Sequence, residues 1–131
     1  MNWFLECFRK YGDFTGRASR PEYWWFLVVH LSLSVVLLAA DLLFGTLTAM
    51  GFGVLSGIFI LVTIIPAWAV SVRRLHDTGR TGWWVLLGIV PYIGGLILLI
   101  LQAQRGQAEK NAYGEPPAAA IDANGAARTA I

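Results

Sequence analysis

Three long apolar blocks limit what this chain can fold into. They run roughly from Tyr23 to Phe44, from Phe52 to Val72 and from Trp83 to Leu101. As a helix the first is about 33 Å long at 1.5 Å per residue, enough to cross the ~30 Å of hydrocarbon in a bilayer. Core helices of soluble proteins instead repeat their apolar positions every three or four residues. Composition agrees. Of 131 residues, 56% are hydrophobic and 14% are charged, where a soluble domain carries about a quarter charged. A chain this short has too little interior to hide so much apolar surface. The expected fold is an all-α membrane protein, a bundle of about three transmembrane helices.

The segments around the blocks refine this. Trp3, Phe4, Cys7, Phe8 and Tyr11 share one face of a helix, with Glu6, Arg9, Lys10 and Asp13 opposite. This is a short N-terminal helix that lies at the membrane interface or packs on the bundle's own loops. Ser19 and Glu22 have the spacing of a capping box, and Pro21 fits only a first helical turn, so the first span starts here. Tyr23, Trp24 and Trp25 form an interfacial belt at its entry. In the second block, Gly53 and Gly57 let another helix approach, and Pro66 kinks the helix while neighbours satisfy the carbonyl it frees. The third block is interrupted at Pro91 to Gly95. A kinked span is expected, because each half alone is too short to cross; the alternative is a re-entrant hairpin. Residues 1–117 form the membrane domain, and the Ala-rich residues 118–131 are expected to be disordered.

The net charge of +2 does not point to nucleic acid, because the bases gather at the ends of apolar blocks. Arg9, Lys10, Arg17 and Arg20 precede the first block, and Arg73, Arg74 and Arg80 lie between the second and third. The turn between the first two blocks has none. The positive-inside rule puts the N-terminus and the loop 73–82 in the cytoplasm. Three spans then place the tail outside, against which Arg105 and Lys110 count; a re-entrant hairpin brings it inside. No cleavable secretory leader is expected, since the first apolar block starts late and is too long. The single cysteine, Cys7, forms no internal disulfide. No Cys/His spacing suggests a metal, and no cofactor is implied.

Three ordered motifs carry a family resemblance. Tyr11-Gly-Asp-Phe-Thr-Gly-Arg-Ala-Ser-Arg-Pro-Glu-Tyr-Trp-Trp-Phe26 resembles the opening motif of the DUF805 family. Arg73-Arg-Leu-His-Asp-Thr-Gly-Arg-Thr-Gly-Trp-Trp84 resembles its central motif, with Thr81 where Ser is expected. Asn111-Ala-Tyr-Gly-Glu-Pro-Pro117 resembles its closing motif. The resemblance covers residues 1–117 and implies a small bacterial inner-membrane protein. It implies no activity, because the family's function is itself unassigned.

Three polar sets are candidates for function. Arg17, Arg20, Arg73, Arg74 and Arg80 are expected on one membrane face. Their planar guanidiniums suit lipid phosphate or a partner's carboxylates, and topology anchoring is the plainer reading. His76 and Asp77 could suggest catalysis, but adjacent helical residues pair poorly. Asp-Thr-Gly is also a turn former, so Ser19, Glu22, His76 and Asp77 are expected to order the loops. Tyr23, His30, Ser34 and Asp41 share a face of the first span. They read as a polar or proton path, or as helix–helix hydrogen bonding, which is preferred.

The leading functional expectation is a non-enzymatic membrane module that binds anionic headgroups or a membrane partner and self-associates. One alternative is an oligomeric permeation element using His30 and Asp41. The other is an enzyme acting on a lipid phosphate through His76 and Asp77, against which the lack of metal-holding carboxylates counts.

Overall fold

A computed structural model describes residue 5 and residues 8–117. Half of the expected N-terminal helix, residues 2–4, 6 and 7, and all of the 118–131 tail fall outside the described residues. Helix α1 spans Arg20–Phe44 and α2 spans Val54–Asp77. A 3-10 helix at Gly82–Ile89 and helix α3, Ile93–Ala103, follow. No strand occurs among the described residues, only isolated bridges at Leu47–Gly53 and Asn111–Gly114.

Helix α1 starts where side chain and ring chemistry allow. Ser19 Oγ accepts the Glu22 amide at 3.3 Å, and Pro21 occupies the first turn. The helix ends at Gly45, whose left-handed φ of 66° sends its N–H back to the Asp41 carbonyl. A short loop turns the chain into α2. Gly53 precedes that helix and offers no capping side chain. Asp41 supplies one from the neighbouring helix, its carboxylate accepting the Leu55 and Ser56 amides at 2.9 and 2.8 Å. A side chain at Gly53 would drive into that carboxylate, which requires glycine there. Gly53 thus serves the cap, and Gly57 faces open space.

Pro66 removes an N–H from the middle of α2 and orphans the carbonyl four residues back. That carbonyl belongs to Val62. The Tyr11 hydroxyl donates to it at 2.8 Å, so the N-terminal segment repairs the break.

Polarity is distributed inside out. Both α1 and α2 are long and apolar enough to cross a bilayer. Val35 and Leu43 stand 67% and 84% exposed, while Arg74 is fully buried. Among the described residues the apolar core is a cluster at one end of the α1–α2 pair. It comprises Ala18, Tyr23, Phe26 and Val70, bordered by Phe8, Trp24, Leu27 and Ala67. A water-soluble chain would reverse this arrangement; a bilayer solvates the outer surface and leaves polar groups to satisfy one another within.

The third block corrects the expectation of a kinked span over 83–101. The chain folds back on itself. Pro91 biases Val90 toward extended backbone, where φ is −71° and ψ 120°, and Tyr92 then takes a φ of 63°. The Leu87 carbonyl packs straight onto Gly94, leaving no room for a Cβ. Further down, a Cβ on Gly88 would lie 3.5 Å from Leu98 Cδ2; one continuous helix would hold those residues about 15 Å apart. Both ends of the hairpin reach the Arg74 end of α2. Gly82 lies against Val72 and His76, and the Gln102 carbonyl accepts from Arg74. Helix α3 has 11 residues, about 16 Å, half of what a crossing needs.

Candidate functional site

The polar residues meet where α1 begins and α2 ends. Asp77, the last residue of α2, lies between two arginines. Its Oδ1 accepts from Arg17 Nε at 2.9 Å, and its Oδ2 accepts from Arg74 Nη1, one turn earlier on the same helix. All three side chains are buried. The guanidiniums then spread over backbone carbonyls. Arg17 donates to Glu109, at 2.8 Å, and to Gly114 and Gln107. Arg74 donates to Gln102 at 2.8 Å, to Ala18 at 3.2 Å and to Gln104. The Ala18 amide donates to the Arg73 carbonyl at 2.9 Å, and the Gln107 amide to the Asp77 carbonyl at 2.7 Å. Charge-assisted bonds of this kind are short and strong. Together they tie residues near 17, 75 and 110 into one node.

The closing motif packs onto the same end. Asn111 Nδ2 donates to the His76 carbonyl at 2.9 Å, a second bond to an acceptor that already takes the Gly79 amide at 3.0 Å. Its Oδ1 accepts the Tyr113 amide at 2.8 Å. That turn lays the Tyr113 ring flat on His76, with centroids 4.0 Å apart and planes 1° apart. The other side of His76 is also engaged, with Nδ1 3.0 Å from the Gly16 carbonyl, so the tautomer protonated at Nδ1 fits. In the opening turn, the Thr15 hydroxyl and amide hold the Asp13 carboxyl below the usual carboxylate range.

This geometry corrects the reading of the arginines as one headgroup-binding face. Arg17, Arg73 and Arg74 are buried. Arg73 donates to Glu22 at 2.6 Å, so the Glu22 carboxylate ties the start of α1 to the end of α2. The helix ends present carbonyls and the motifs present acids, and the guanidiniums satisfy both. Arg20 reaches the Ala103 carbonyl at 3.1 Å and stays half-exposed. Arg80 is also half-exposed, and its side chain has no ion pair among the described residues.

Among the described residues His76 and Asp77 do not pair with each other: Asp77 is held by Arg17 and Arg74, and His76 by the Gly16 carbonyl and the Tyr113 ring. No group of three His, Cys, Asp or Glu side chains gathers for a metal among the described residues.

The residues of the expected polar stripe are each used locally. His30 is stacked between Phe26 and Phe59, at 5.6 and 5.2 Å. Ser34 Oγ donates to the His30 carbonyl at 2.8 Å. Tyr23 belongs to the apolar cluster, and Asp41 caps α2. Sequence reasoning assigned no role to Asn111, Tyr113 or the buried Gln102; the first two lay inside a recognised motif, which was the available signal.

A family model described as "Protein of unknown function (DUF805)" matches residues 11–115, which hold the first two motifs whole and the closing one as far as Glu115. "Inner membrane protein YhaH" of Escherichia coli K12 is 41% identical over 117 residues, covering 89% of this chain and 97% of that protein. "Inner membrane protein YhaI" of the same strain is 38% identical over 117 residues, covering 89% and 96%. "Uncharacterized protein YiiR", also of that strain, is 36% identical over 84 residues, covering 62% of this chain and 52% of that protein. No solved structure matches the chain.

Proposed function

This chain belongs to the DUF805 family, and from that premise we propose that it is a non-enzymatic inner-membrane module. It has two spans, a re-entrant hairpin and a basic cytoplasmic end that engages anionic lipid headgroups. One observation carries the reading. Arg17, Arg20, Arg73, Arg74, Arg80, Arg105 and Lys110 all gather at the end of the bundle that the node holds together, and the opposite loops, 45–53 and 90–92, contain no base. The positive-inside rule makes that end cytoplasmic. The folded-back hairpin brings Arg105 and Lys110 to the same side, which removes the charge conflict of a three-span arrangement.

Within this end the arginines divide the work. Arg17, Arg73 and Arg74 hold the fold. Arg80 and Arg105, with Lys110 (already 3.8 Å from Glu115), are left to meet phosphate. Each surface base near an anionic leaflet contributes about 1 kcal/mol, roughly fivefold in affinity. The test is native mass spectrometry of lipid that co-purifies with the protein, beside an Arg80→Gln/Arg105→Gln/Lys110→Gln variant. The variant should melt like the parent and lose anionic lipid. Equal retention in both would leave the bases as topology signals only.

A further inference from the structure

The hairpin carries an open groove of about 330 Å³, lined by Thr81, Trp83, Trp84, Leu86 and Leu87. Its shape follows from the 3-10 helix. With three residues per turn, side chains at i and i+3 stand in line. Thr81, Trp84 and Leu87 form one row and Trp83 and Leu86 the next, and a trough lies between them. At about 2.0 Å per residue the trough runs roughly 12 Å from the loop into the apolar layer. Trp83, 77% exposed, stands at its mouth.

The chain enters the groove's first row directly from a base. Arg80 immediately precedes Thr81. Its backbone is pinned by its N–H bond to the Leu75 carbonyl at 3.0 Å, and no carboxylate neutralises its side chain among the described residues. The nearby acid, Asp77, is consumed by Arg17 and Arg74. An occupant that complements this site has an anionic head and an apolar tail.

The geometry points to a seat for one anionic phospholipid, its phosphate at Arg80 and the Thr81 hydroxyl, and one acyl chain in the trough between the two rows. This rests on the headgroup reading above and adds where the lipid sits and which part of it is recognised. A zwitterionic lipid fills the trough equally well but gains less at Arg80.

The experiment titrates the purified full-length protein in detergent with dioleoyl phosphatidylglycerol, dioleoyl phosphatidylcholine and chain-free glycerophosphoglycerol, read by native mass spectrometry. The expected result is a single phosphatidylglycerol adduct favoured over phosphatidylcholine, with glycerophosphoglycerol binding far more weakly. Arg80→Gln should weaken the adduct about fivefold. Leu86→Trp, which fills the trough, should weaken it at least as much, and Trp84→Ala, which lowers one wall, should also weaken it. Leu43→Trp, on the opposite end, should not. Melting curves identify any variant that has lost its fold, and Leu86→Trp and Trp84→Ala substitute for one another in that case. If Arg80→Gln weakens the adduct while both trough variants keep it, or if glycerophosphoglycerol binds as well as the lipid, the seat is refuted and the headgroup reading stands. If Arg80→Gln changes nothing and the two lipids bind alike, both fall.

Discussion

Replacing Asp77 by Ala tests the node directly. The carboxylate is 4% exposed and serves two guanidiniums that are themselves buried. Its removal leaves two like charges facing each other across the space it occupied, and breaking a buried ion pair in this way costs about 3–5 kcal/mol. The bonds that join the two spans, Arg74 to the Ala18 carbonyl and the Ala18 amide to the Arg73 carbonyl, do not involve Asp77; the spans should survive, and the loss should fall on residues 104–114, which supply most of the other acceptors of Arg17 and Arg74. Arg105 and Lys110 are tryptic sites within that segment. Cleavage in the regime of fast opening tracks the open population, and 3–5 kcal/mol raises that population roughly a hundred- to a few-thousandfold. Limited trypsinolysis of purified protein should therefore show cleavage at Arg105 and Lys110 accelerated by at least two orders of magnitude in Asp77→Ala. Asp77→Asn, which keeps an acceptor oxygen and loses the charge, should fall between variant and parent. Equal cleavage rates in all three would refute the claim that Asp77 holds the closing segment.

Further consequences follow from single contacts. Tyr11→Phe strands the Val62 carbonyl and should cost about 1–3 kcal/mol in a detergent melt; in a Pro66→Ala background, where an N–H returns to that carbonyl, the penalty should vanish, and an undiminished penalty would break the link. Gly53→Ala should lower the melting temperature by forcing Asp41 off the Leu55 and Ser56 amides, and Gly57→Ala, which faces open space, should not. A double-mutant cycle on His76→Ala and Tyr113→Ala should give a coupling of about 0.5–1.5 kcal/mol from the stacked rings; additive effects would mean that the stack contributes nothing.

Parts of this fold are legible in the sequence. Length and apolarity locate α1 and α2, and Ser19 with Pro21 marks where α1 begins. The same length criterion misleads over 83–101, because a hairpin of two short apolar halves has the composition of one span. What separates them is Pro91 acting with Gly94, and the need for glycine at 94 appears only once the Leu87 carbonyl is known to pack there. The arginines were legible as a set on one face but not as internal ties. Their acceptors include carbonyls at 18, 102, 103, 104, 107, 109 and 114, and backbone acceptors leave no mark in a sequence. Asp41 was legible as a polar residue on the bundle side of α1. That it caps the next helix depends on how the loop 45–53 returns. Asn111 and Tyr113 stood within a recognised motif, but their roles require His76 to be beside them.

The side of the membrane on which residue 117 lies tests the central claim most directly. On the proposed topology, two spans, a hairpin that returns to its starting end and a closing segment bound to Arg17 and Asp77 put residue 117 in the cytoplasm with the N-terminus. A fluorescent protein that matures only in the cytoplasm, fused after Pro117, should glow, and alkaline phosphatase fused at the same position should be inactive. A dark fluorescent fusion with an active phosphatase fusion would place the closing segment outside, contradicting both the hairpin and the node.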